Sequence, residues 1–326
     1  MYNPFIVRTL TVCGLGLLAF VVGAYLPVRL AEPPQVSAQS ATGDLQKAAG
    51  GRLSFEVASV KQNTSGNFVP AKFPLDDGDA YASTGGLFTA VGFPVITYIQ
   101  FAYKLHLTPG EGAALLATMP KWANVSRFDI EARGLASATK DQMRLMMQSL
   151  LADRFKLAVH MKMQQGPVFA LVLDKPRKVG SKLIPHSQGP PCDDNSQSTS
   201  ASNAPRTDVF PAACDTFAIR MSQGGVLLAS RNTTIERVAR VFGTLPGEGV
   251  IDRPVVDKTG LAGNFDFTLE FRPDAPVSMN GSNMTFDESV PTFLEALKDQ
   301  LGMKLKAETG PVQTITVDHI EEPSPN

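Results

Sequence analysis

The chain has 326 residues, 43% hydrophobic and 19% charged, a composition that excludes disordered and fibrous proteins. Thirty basic against thirty-one acidic side chains give a formal charge of -1, which argues against nucleic acid or an anionic membrane surface as a partner. Three cysteines are too few for a disulfide-built miniprotein or a cysteine-rich zinc module, and four histidines leave little material for histidine metal sites. We therefore expect no metal and no cofactor.

The amino terminus carries a predicted export segment. Residues 9–28 contain no charge and are flanked by Arg8 and Arg29, and a run of this length just crosses a bilayer. The positive flank predicts that the rest of the chain lies outside the cytoplasm, so the protein is periplasmic, secreted or anchored in the inner membrane. Small residues at 36–38 suit a signal peptidase, so residues 1–38 are either a cleaved signal or an uncleaved anchor. Residues 39–52 are polar and predict a tether.

The next residues predict a first α+β module, residues 53–185. Its elements are a leading strand, a strand after a glycine pair, a helix, a strand, a second helix and two closing strands, at 53–61, 85–90, 96–103, 128–132, 139–151, 155–159 and 168–173. Thr139 is a good cap for the second helix. That helix places on one core face Met143, Met146, Met147 and Leu150. Gly166-Pro167 between the closing strands predicts a hairpin.

The same order recurs in a second module, residues 223–326, at offsets between 137 and 144 positions. Its segments are 224–229, 235–242, 265–269, 290–301, 303–306 and 312–317, with Gly310-Pro311 between the closing strands. Thr233 or Thr234 can cap its first helix. Its second helix is predicted to turn inward Phe293, Leu294, Leu297 and Leu301. The fold is therefore predicted as two tandem β-α-β-α-β-β repeats, each a small, mostly antiparallel sheet with helices on one face.

The modules are separated by a low-complexity loop, residues 186–222, that contains Cys192 and Cys214. In an exported protein these two cysteines are expected to form a structural disulfide. A bridge that closes a loop of about twenty residues would stabilise the fold by roughly 3 kcal/mol. Neither cysteine has a histidine or a helix start beside it in the sequence, which argues against a reactive thiol.

Several segments resemble a bacterial family called domain of unknown function 3738, which is expanded as paralogues in soil bacteria. They include, in order, FEVASVK (55–61), FAYKL (101–105), LLADRFKLAVH (150–160), RPVVDKTGLAGNFDFTL (253–269) and QLGMKLK (300–306). Similar modules occur attached to antirepressor-type membrane metallopeptidases that sense β-lactams. The resemblance therefore implies an extracytoplasmic sensor or interaction module and supplies no catalytic residues. Each repeat is also similar to the short N-terminal domain of secretins and outer-membrane receptors, a protein-binding module.

One motif points to an enzyme: Lys258-Thr259-Gly260 matches the third motif of serine penicillin-binding enzymes. Ser137-Ala138-Thr139-Lys140 and Ser230-Arg231-Asn232 match the other two motifs in order. Only 28 residues separate Ser230 from Lys258, too few for the helical domain that normally lies there, so we disfavour this interpretation. A turn in which Asp257 and Thr259 hydrogen-bond the backbone explains the segment better.

Other polar and aromatic residues give weak candidates for a site. The acidic run at 76–79 offers oxygen ligands for calcium but lacks the bidentate glutamate of a calcium loop, so we favour a solvated turn. Trp122, the only tryptophan, is predicted to be a packing anchor rather than a ligand contact. The weak candidates for ligand binding are Trp122, Tyr103, Arg253 and Asp257.

The sequence thus predicts a binding, sensing or interaction module without identifiable catalytic machinery. Its partner would be an unknown protein or small molecule outside the cytoplasm, and the membrane as well if the N-terminal segment is retained. The alternative is a hydrolase with its site in the groove between the repeats, for which Asp257 and Asp129 are the candidate acids.

Overall fold

A computed structural model describes residues 52–192, 210–211, 213–222, 225–245, 251–273, 277–279, 282–284 and 286–323. The predicted signal or anchor at 1–38 lies outside the described residues, as do all but the last residue of the tether and most of the loop between the cysteines. The fold is α+β with small, mostly antiparallel sheets, as predicted. Within the described ranges, every helix falls short of the length and hydropathy of a membrane span.

The first half is built on a three-stranded antiparallel sheet. Its strands, in the spatial order β1-β3-β2, are β1 (Val57–Gln62), β2 (Leu87–Pro94) and β3 (Arg127–Arg133). Its helices are α1 (Val95–Ala102), α2 (Pro109–Thr118), α3 (Lys121–Val125) and α4 (Lys140–Arg154). Buried residues alternate along β3, which indicates a sheet with one covered face. The predicted leading strand therefore joins this sheet as β1.

The second half of the fold contains the strands β5 (Leu183–Pro185), β6 (Ala218–Ser222), β7 (Gly225–Thr234), β8 (Val255–Asp257) and β9 (Asn264–Phe271). Four of them form an antiparallel sheet in the order β5-β9-β7-β6. Its helices are α5 (Ile235–Phe242) and α6 (Phe293–Leu301), and a small hairpin is formed by β10 (Val277–Met279) and β11 (Ser282–Met284). A second core lies between this sheet and the two helices.

The helices begin where the sequence supplies caps. Thr139 and Thr292 each form a reciprocal capping box with the residue three positions on, and the Thr234 hydroxyl accepts a hydrogen bond from a backbone N–H of α5. The predicted core face of α4 is confirmed, since the four residues predicted to form it are all buried. On α6 one predicted core residue is wrong: Leu294 is 40% exposed, and Ala296 is buried instead.

Both halves share a bulge that is fixed by an aspartate. The pairing register shifts between Ala90 and Phe93 in the first sheet and between Ser230 and Thr233 in the second. In each bulge a backbone N–H donates to a carboxylate of the central strand, from Gly92 to Asp129 and from Asn232 to Asp266, both at 2.9 Å. A duplicated unit predicts such correspondences. The duplication itself stays a prediction.

The two predicted closing hairpins are wrong. β4 (Ala158–Leu173) runs straight through Gly166-Pro167, and β12 (Met303–His319) runs straight through Gly310-Pro311. The two strands pair antiparallel with each other along their length, with Gly166 opposite Gly310. We call this pair of strands the ribbon. The short strand β8 adds to its β4 edge in parallel, which leaves β12 at the outer edge.

The ribbon exchanges strands between the two halves. One of its ends contributes to the first core Val159, Met161, Ile315 and Val317. The other end contributes to the second core Phe169, Leu171, Met303 and Leu305. The first core is therefore completed by β4, which follows it in the sequence, and by β12, which begins more than a hundred residues after β4 ends.

Gly302→Ala will destabilise the protein. Gly302 ends α6 in the left-handed region at φ 71°, and an added Cβ would lie 2.6 Å from the backbone nitrogen of Gly180. The backbone conformation alone costs an alanine roughly 1–2 kcal/mol. Gly112→Ala in α2 is the matched control, because its Cβ would meet nothing within 4 Å and should stabilise the helix by up to about 1 kcal/mol. Urea unfolding measures both variants, and a change of the same sign in both would contradict this account.

Candidate functional site

A groove of about 620 Å³ lies where the two halves meet the ribbon. The first half supplies the wall at residues 103–108, and the second half supplies Arg240 with residues 254–256. The ribbon supplies Met161 and residues 311–313. Such a volume is typical of sites for small molecules or for short segments of a partner. The hydrolase site expected in a groove between the repeats stays a prediction.

A smaller cavity of about 250 Å³ adjoins the groove between α2 and β12. The two spaces share Leu107, Glu111 and Gln313 as lining residues. The smaller cavity is mainly apolar, with Leu115 of α2 and Ile315 of β12 in its walls. The groove thus extends along the outer edge of β12.

The first-half wall is shaped by the end of α1 and the beginning of α2. Lys104 turns the chain after α1 in the left-handed region, at φ 51°. Thr108 then caps α2, and the Glu111 carboxylate accepts hydrogen bonds from the Thr108 backbone N–H at 2.8 Å and hydroxyl at 2.9 Å. Because Glu111 is bound in this capping box, it serves as part of a rigid wall.

The acidic run at 76–79 is anchored to the second half, so the predicted solvated turn is wrong for its central residue. The Asp77 side chain is only 8% exposed. Its oxygens lie 3.1 Å from Arg240 Nε, 3.5 Å from His106 Nδ1 and 4.0 Å from Arg237 Nη1. Both arginines belong to α5, so ion pairs of Asp77 connect the first half to the second.

The neighbouring aspartates have cationic partners too. Asp76 pairs with Lys140 Nζ at 2.7 Å and with Arg237 Nη2 at 3.4 Å, and the Lys140 side chain is only 4% exposed. Asp79 pairs with Lys104 at 2.8 Å and with Arg144 at 3.5 Å. We call residues 76–79, together with these lysines, His106, and the arginines at 144, 237 and 240, the charge cluster. Its carboxylates bind side chains of the protein.

Burial and neighbouring charges act in opposite directions in the charge cluster. Burial would raise the pKa of Asp77, but the contact with His106 and the two arginines of α5 hold it well below its ordinary value. Burial lowers the pKa of the Lys140 amine, and Asp76 opposes that shift. Burial also raises the pKa of Asp215, against the charge of Arg237.

His106 lies beside the groove with both ring nitrogens engaged. Nδ1 faces Asp77, and Nε2 contacts the carbonyl oxygen of Arg240. Arg240 is in turn paired with Glu236 at 2.6 Å. A general base needs a free nitrogen directed at a substrate. This histidine therefore holds the groove walls together.

The four weak binding candidates lie in different places. Tyr103 lines the groove, and burial raises the pKa of its hydroxyl. Trp122 packs against Phe128 and Phe155, with ring centroids 5.9 and 6.3 Å away, which confirms the predicted packing contact. Arg253 bonds the adjacent Asp252 and lies over the ring of Phe169. Only Tyr103 of the four is among the groove residues.

The candidate acids of the hydrolase hypothesis accept hydrogen bonds from other groups of the protein. The Asp257 carboxylate accepts hydrogen bonds at 2.8 Å from both the backbone N–H and the hydroxyl of Thr259, which confirms the predicted turn. Asp129 accepts from the N–H of Gly92 and, at 2.8 Å, from the side-chain amide of Asn63. Neither acid lines the groove.

The fragments that match penicillin-binding motifs also have other partners. Lys140 is paired with Asp76. Lys258 Nζ lies 2.5 Å from a carboxylate oxygen of Glu308, and Ser230 is fully buried in β7. A serine enzyme of the penicillin-binding kind needs its serine and lysine in contact, whereas these lysines contact carboxylates.

A disulfide joins Cys192 to Cys214, as predicted. Neither cysteine has a neighbouring histidine along the sequence, but the fold brings one next to Cys192. His186 Nε2 lies 3.8 Å from Cys192 Sγ, while His186 Nδ1 lies 2.6 Å from an oxygen of Asp266. Asp266 is the central-strand aspartate of the second bulge. Sequence reasoning missed this arrangement because its acid lies eighty positions from the histidine.

The charge cluster was also missed. The sequence did contain signals for it, namely the acidic run and the arginines at 237 and 240 in a short amphipathic helix. The sequence alone does not show that the acidic run and these arginines, about 160 positions apart, contact each other.

Comparison with known proteins assigns the family. A model described as a protein of unknown function (DUF3738) matches residues 96–320. No curated protein and no solved structure matches the chain. The match spans more than half of the chain and includes the groove, the charge cluster apart from its acidic run, the ribbon and the disulfide. This chain belongs to the DUF3738 family of proteins of unknown function.

Proposed function

We propose that this protein is an extracytoplasmic binding module that takes an extended segment of a partner protein into the groove between its two halves. The observation that carries the proposal is a groove of ligand size whose charged wall residues are already paired within the protein. Such walls are fixed before a ligand arrives, which reduces the entropy lost on binding.

The chemistry of the walls favours a peptide with apolar side chains. The groove and its extension are lined by apolar residues of both halves and the ribbon, among them Leu105, Leu107, Met161, Val255 and Ile315. β12 is an edge strand, and in the part of the chain that the structure describes its ladder pairs only with β4. An extended peptide can add to such an edge through backbone hydrogen bonds while pockets receive its side chains.

Two observations support a location outside the cytoplasm. The disulfide is consistent with an oxidising compartment. The uncharged run at 9–28 has the composition of an export signal or an anchor. A binding module in that position would sense or capture a partner at the cell envelope.

The proposal is tested with Gln313→Trp, which places a large ring in the wall shared by the groove and its extension. Gln164→Trp is the matched control, because Gln164 is an exposed glutamine on the same ribbon and lines neither space. The exported fragment would be screened by thermal shift against defined peptide, glycan, ester and β-lactam libraries. At a hundredfold excess over Kd, a ligand stabilises the fold by about 2.7 kcal/mol. We expect peptides to do so in the wild type and in Gln164→Trp, and to fail in Gln313→Trp.

The same screen also tests the hydrolase alternative. Turnover of any of these compounds that Asp257→Ala or Lys258→Ala abolishes would overturn the binding-module proposal. Stabilisation by peptides that persists in Gln313→Trp would show that the groove is not the site.

A further inference from the structure

The disulfide lies next to three polar side chains of the second half, those of His186, Arg231 and Asp266. His186 follows β5 directly, and its Nε2 faces Cys192 Sγ at 3.8 Å. Its Nδ1 faces Asp266 Oδ1 at 2.6 Å, and the Asp266 side chain is only 9% exposed. One imidazole thus contacts a sulfur through Nε2 and a buried carboxylate through Nδ1, the order of groups that activates nucleophilic cysteines in enzymes.

Asp266 fixes which nitrogen of His186 carries a proton. A carboxylate only accepts hydrogen bonds, so Nδ1–H donates to it and Nε2 is directed at the sulfur. The carboxylate also accepts from the Asn232 backbone N–H at 2.9 Å, and Arg231 Nε lies 3.6 Å from its other oxygen. Among the described residues, the charged group that contacts the His186 imidazole is Asp266, and the cation that contacts Asp266 is Arg231. A protonated His186 would therefore donate to a Cys192 thiolate and stabilise it.

The segments that carry the two cysteines are attached to the sheet independently of the sulfur–sulfur bond. The buried Arg231 guanidinium contacts the carbonyl oxygens of Pro190 and Pro211, one on each side of the bridge. The backbone N–H of Asp215 donates to the Arg231 carbonyl at 2.7 Å. After reduction, these contacts would keep the two thiols close enough to form the bond again.

The bridge is also accessible to a reactant. Both cysteines are partly exposed, and Cys214 lines a polar cavity of about 560 Å³ together with Asp215, Asn232 and Arg237. A structural disulfide is usually buried or strongly resistant to reduction, whereas exposed disulfides are the labile ones. An attacking thiol therefore has a route to Cys214, opposite the sulfur that His186 faces.

We propose that Cys192–Cys214 is an exchangeable disulfide that reacts with a dithiol partner, with Cys192 as the leaving group and His186 as the group that stabilises it. A thiolate of the partner attacks Cys214 Sγ, a new sulfur–sulfur bond forms between them, and the Cys192–Cys214 bond breaks. Cys192 leaves with the electron pair as a thiolate facing His186. The second thiol of the partner, after losing its proton to solvent, attacks the mixed disulfide and releases Cys214, which takes a proton from solvent. The partner is oxidised to a disulfide and this protein is reduced by two electrons. A disulfide-bearing partner drives the reverse sequence.

The first test compares the two sulfurs without changing the histidine. In a Cys13→Ser background, Cys214→Ser leaves Cys192 as a single thiol, and Cys192→Ser leaves Cys214. The rate of alkylation by iodoacetamide is measured against pH. We expect Cys192 to titrate well below the value of about 8.5 for a free cysteine, and Cys214 to titrate near that value. Identical profiles for the two thiols would overturn the proposal.

The second test measures the reduction rate of the full chain by dithiothreitol, with quenching by alkylation and peptide-resolved mass spectrometry. His186→Gln keeps a donor toward Asp266 but removes the imidazole nitrogen that faces Cys192. We expect it to slow reduction about tenfold, because a thiol with a higher pKa is a slower leaving group. His160→Gln is the matched control, because His160 pairs with Asp318 at 2.8 Å on the ribbon and is not among the groups that contact Cys192 or Cys214. Circular dichroism checks that both variants fold. Equal rates for wild type and His186→Gln would show that the bridge is structural only.

Discussion

Arg237→Ala will lower the free energy of unfolding by about 3–5 kcal/mol, the range found when one partner of a buried ion pair is removed. The Arg237 side chain is 7% exposed, and its nitrogens lie 3.0 Å from Asp215, 3.4 Å from Asp76 and 4.0 Å from Asp77. Its guanidinium also lies over the ring of Phe217. Alanine would leave the buried Asp77 and the partly exposed Asp76 and Asp215 without this cation, and would open a gap between the halves. Chemical denaturation at neutral pH measures the change.

Lys258→Ala is the control for that experiment. Lys258 forms an ion pair with Glu308, but its side chain is 52% exposed, and such pairs contribute about 1 kcal/mol or less. A loss below 1 kcal/mol in Arg237→Ala, or an equal loss in the two variants, would show that the charge cluster does not hold the halves together.

Ending the chain after Pro311 will unfold the first half, although every residue removed lies at the far end of the sequence. The deletion removes Ile315, Val317 and Ile320, all of which pack in the first core. It also removes the hydrogen bond from the Glu321 N–H to the Phe155 carbonyl oxygen at 2.7 Å. Loss of one buried isoleucine side chain costs about 2–5 kcal/mol, and whole domains are stable by only about 5–15 kcal/mol. Amide hydrogen exchange by mass spectrometry should show loss of protection in β2, β3 and α4.

Point variants on β12 separate the effect of lost core packing from the effect of a shortened chain. Ile315→Ala with Val317→Ala removes two side chains that pack on the first core, whereas Gln313→Ala with Thr316→Ala changes two exposed ones. We expect the first pair to lower protection in the first half and the second pair to leave it unchanged. Protection lost only in the second half of the truncated chain would contradict the exchanged ribbon.

Helices and central strands could be predicted from the sequence because their signals are local. The helix predicted at 235–242 has those bounds, and the one predicted at 139–151 forms as Lys140–Arg154. Threonine caps and apolar spacing act within one or two turns of helix. Leu294 was misplaced since Phe293, Ala296 and Leu297 already complete the buried face of a short helix.

The ribbon could not be predicted, because the same local sequence satisfies a closed hairpin and an open strand. Residues on either side of Gly166-Pro167 alternate as strands in both arrangements, and only the pairing partner differs. That choice depends on contacts between segments about 145 positions apart. The charge cluster and the His186–Asp266 contact escaped prediction for the same reason, since each joins side chains from distant elements.

The exchanged ribbon has a consequence for the order of events during synthesis. β4 leaves the ribosome about 130 residues before the first residue of β12, a delay of several seconds or more at about 5–20 residues per second. Until the last twenty residues appear, the N-terminal half lacks the strand that closes it. Contacts of such high sequence separation also slow folding itself. The first core is therefore completed only after β12 has been synthesised, however early its other strands and helices form.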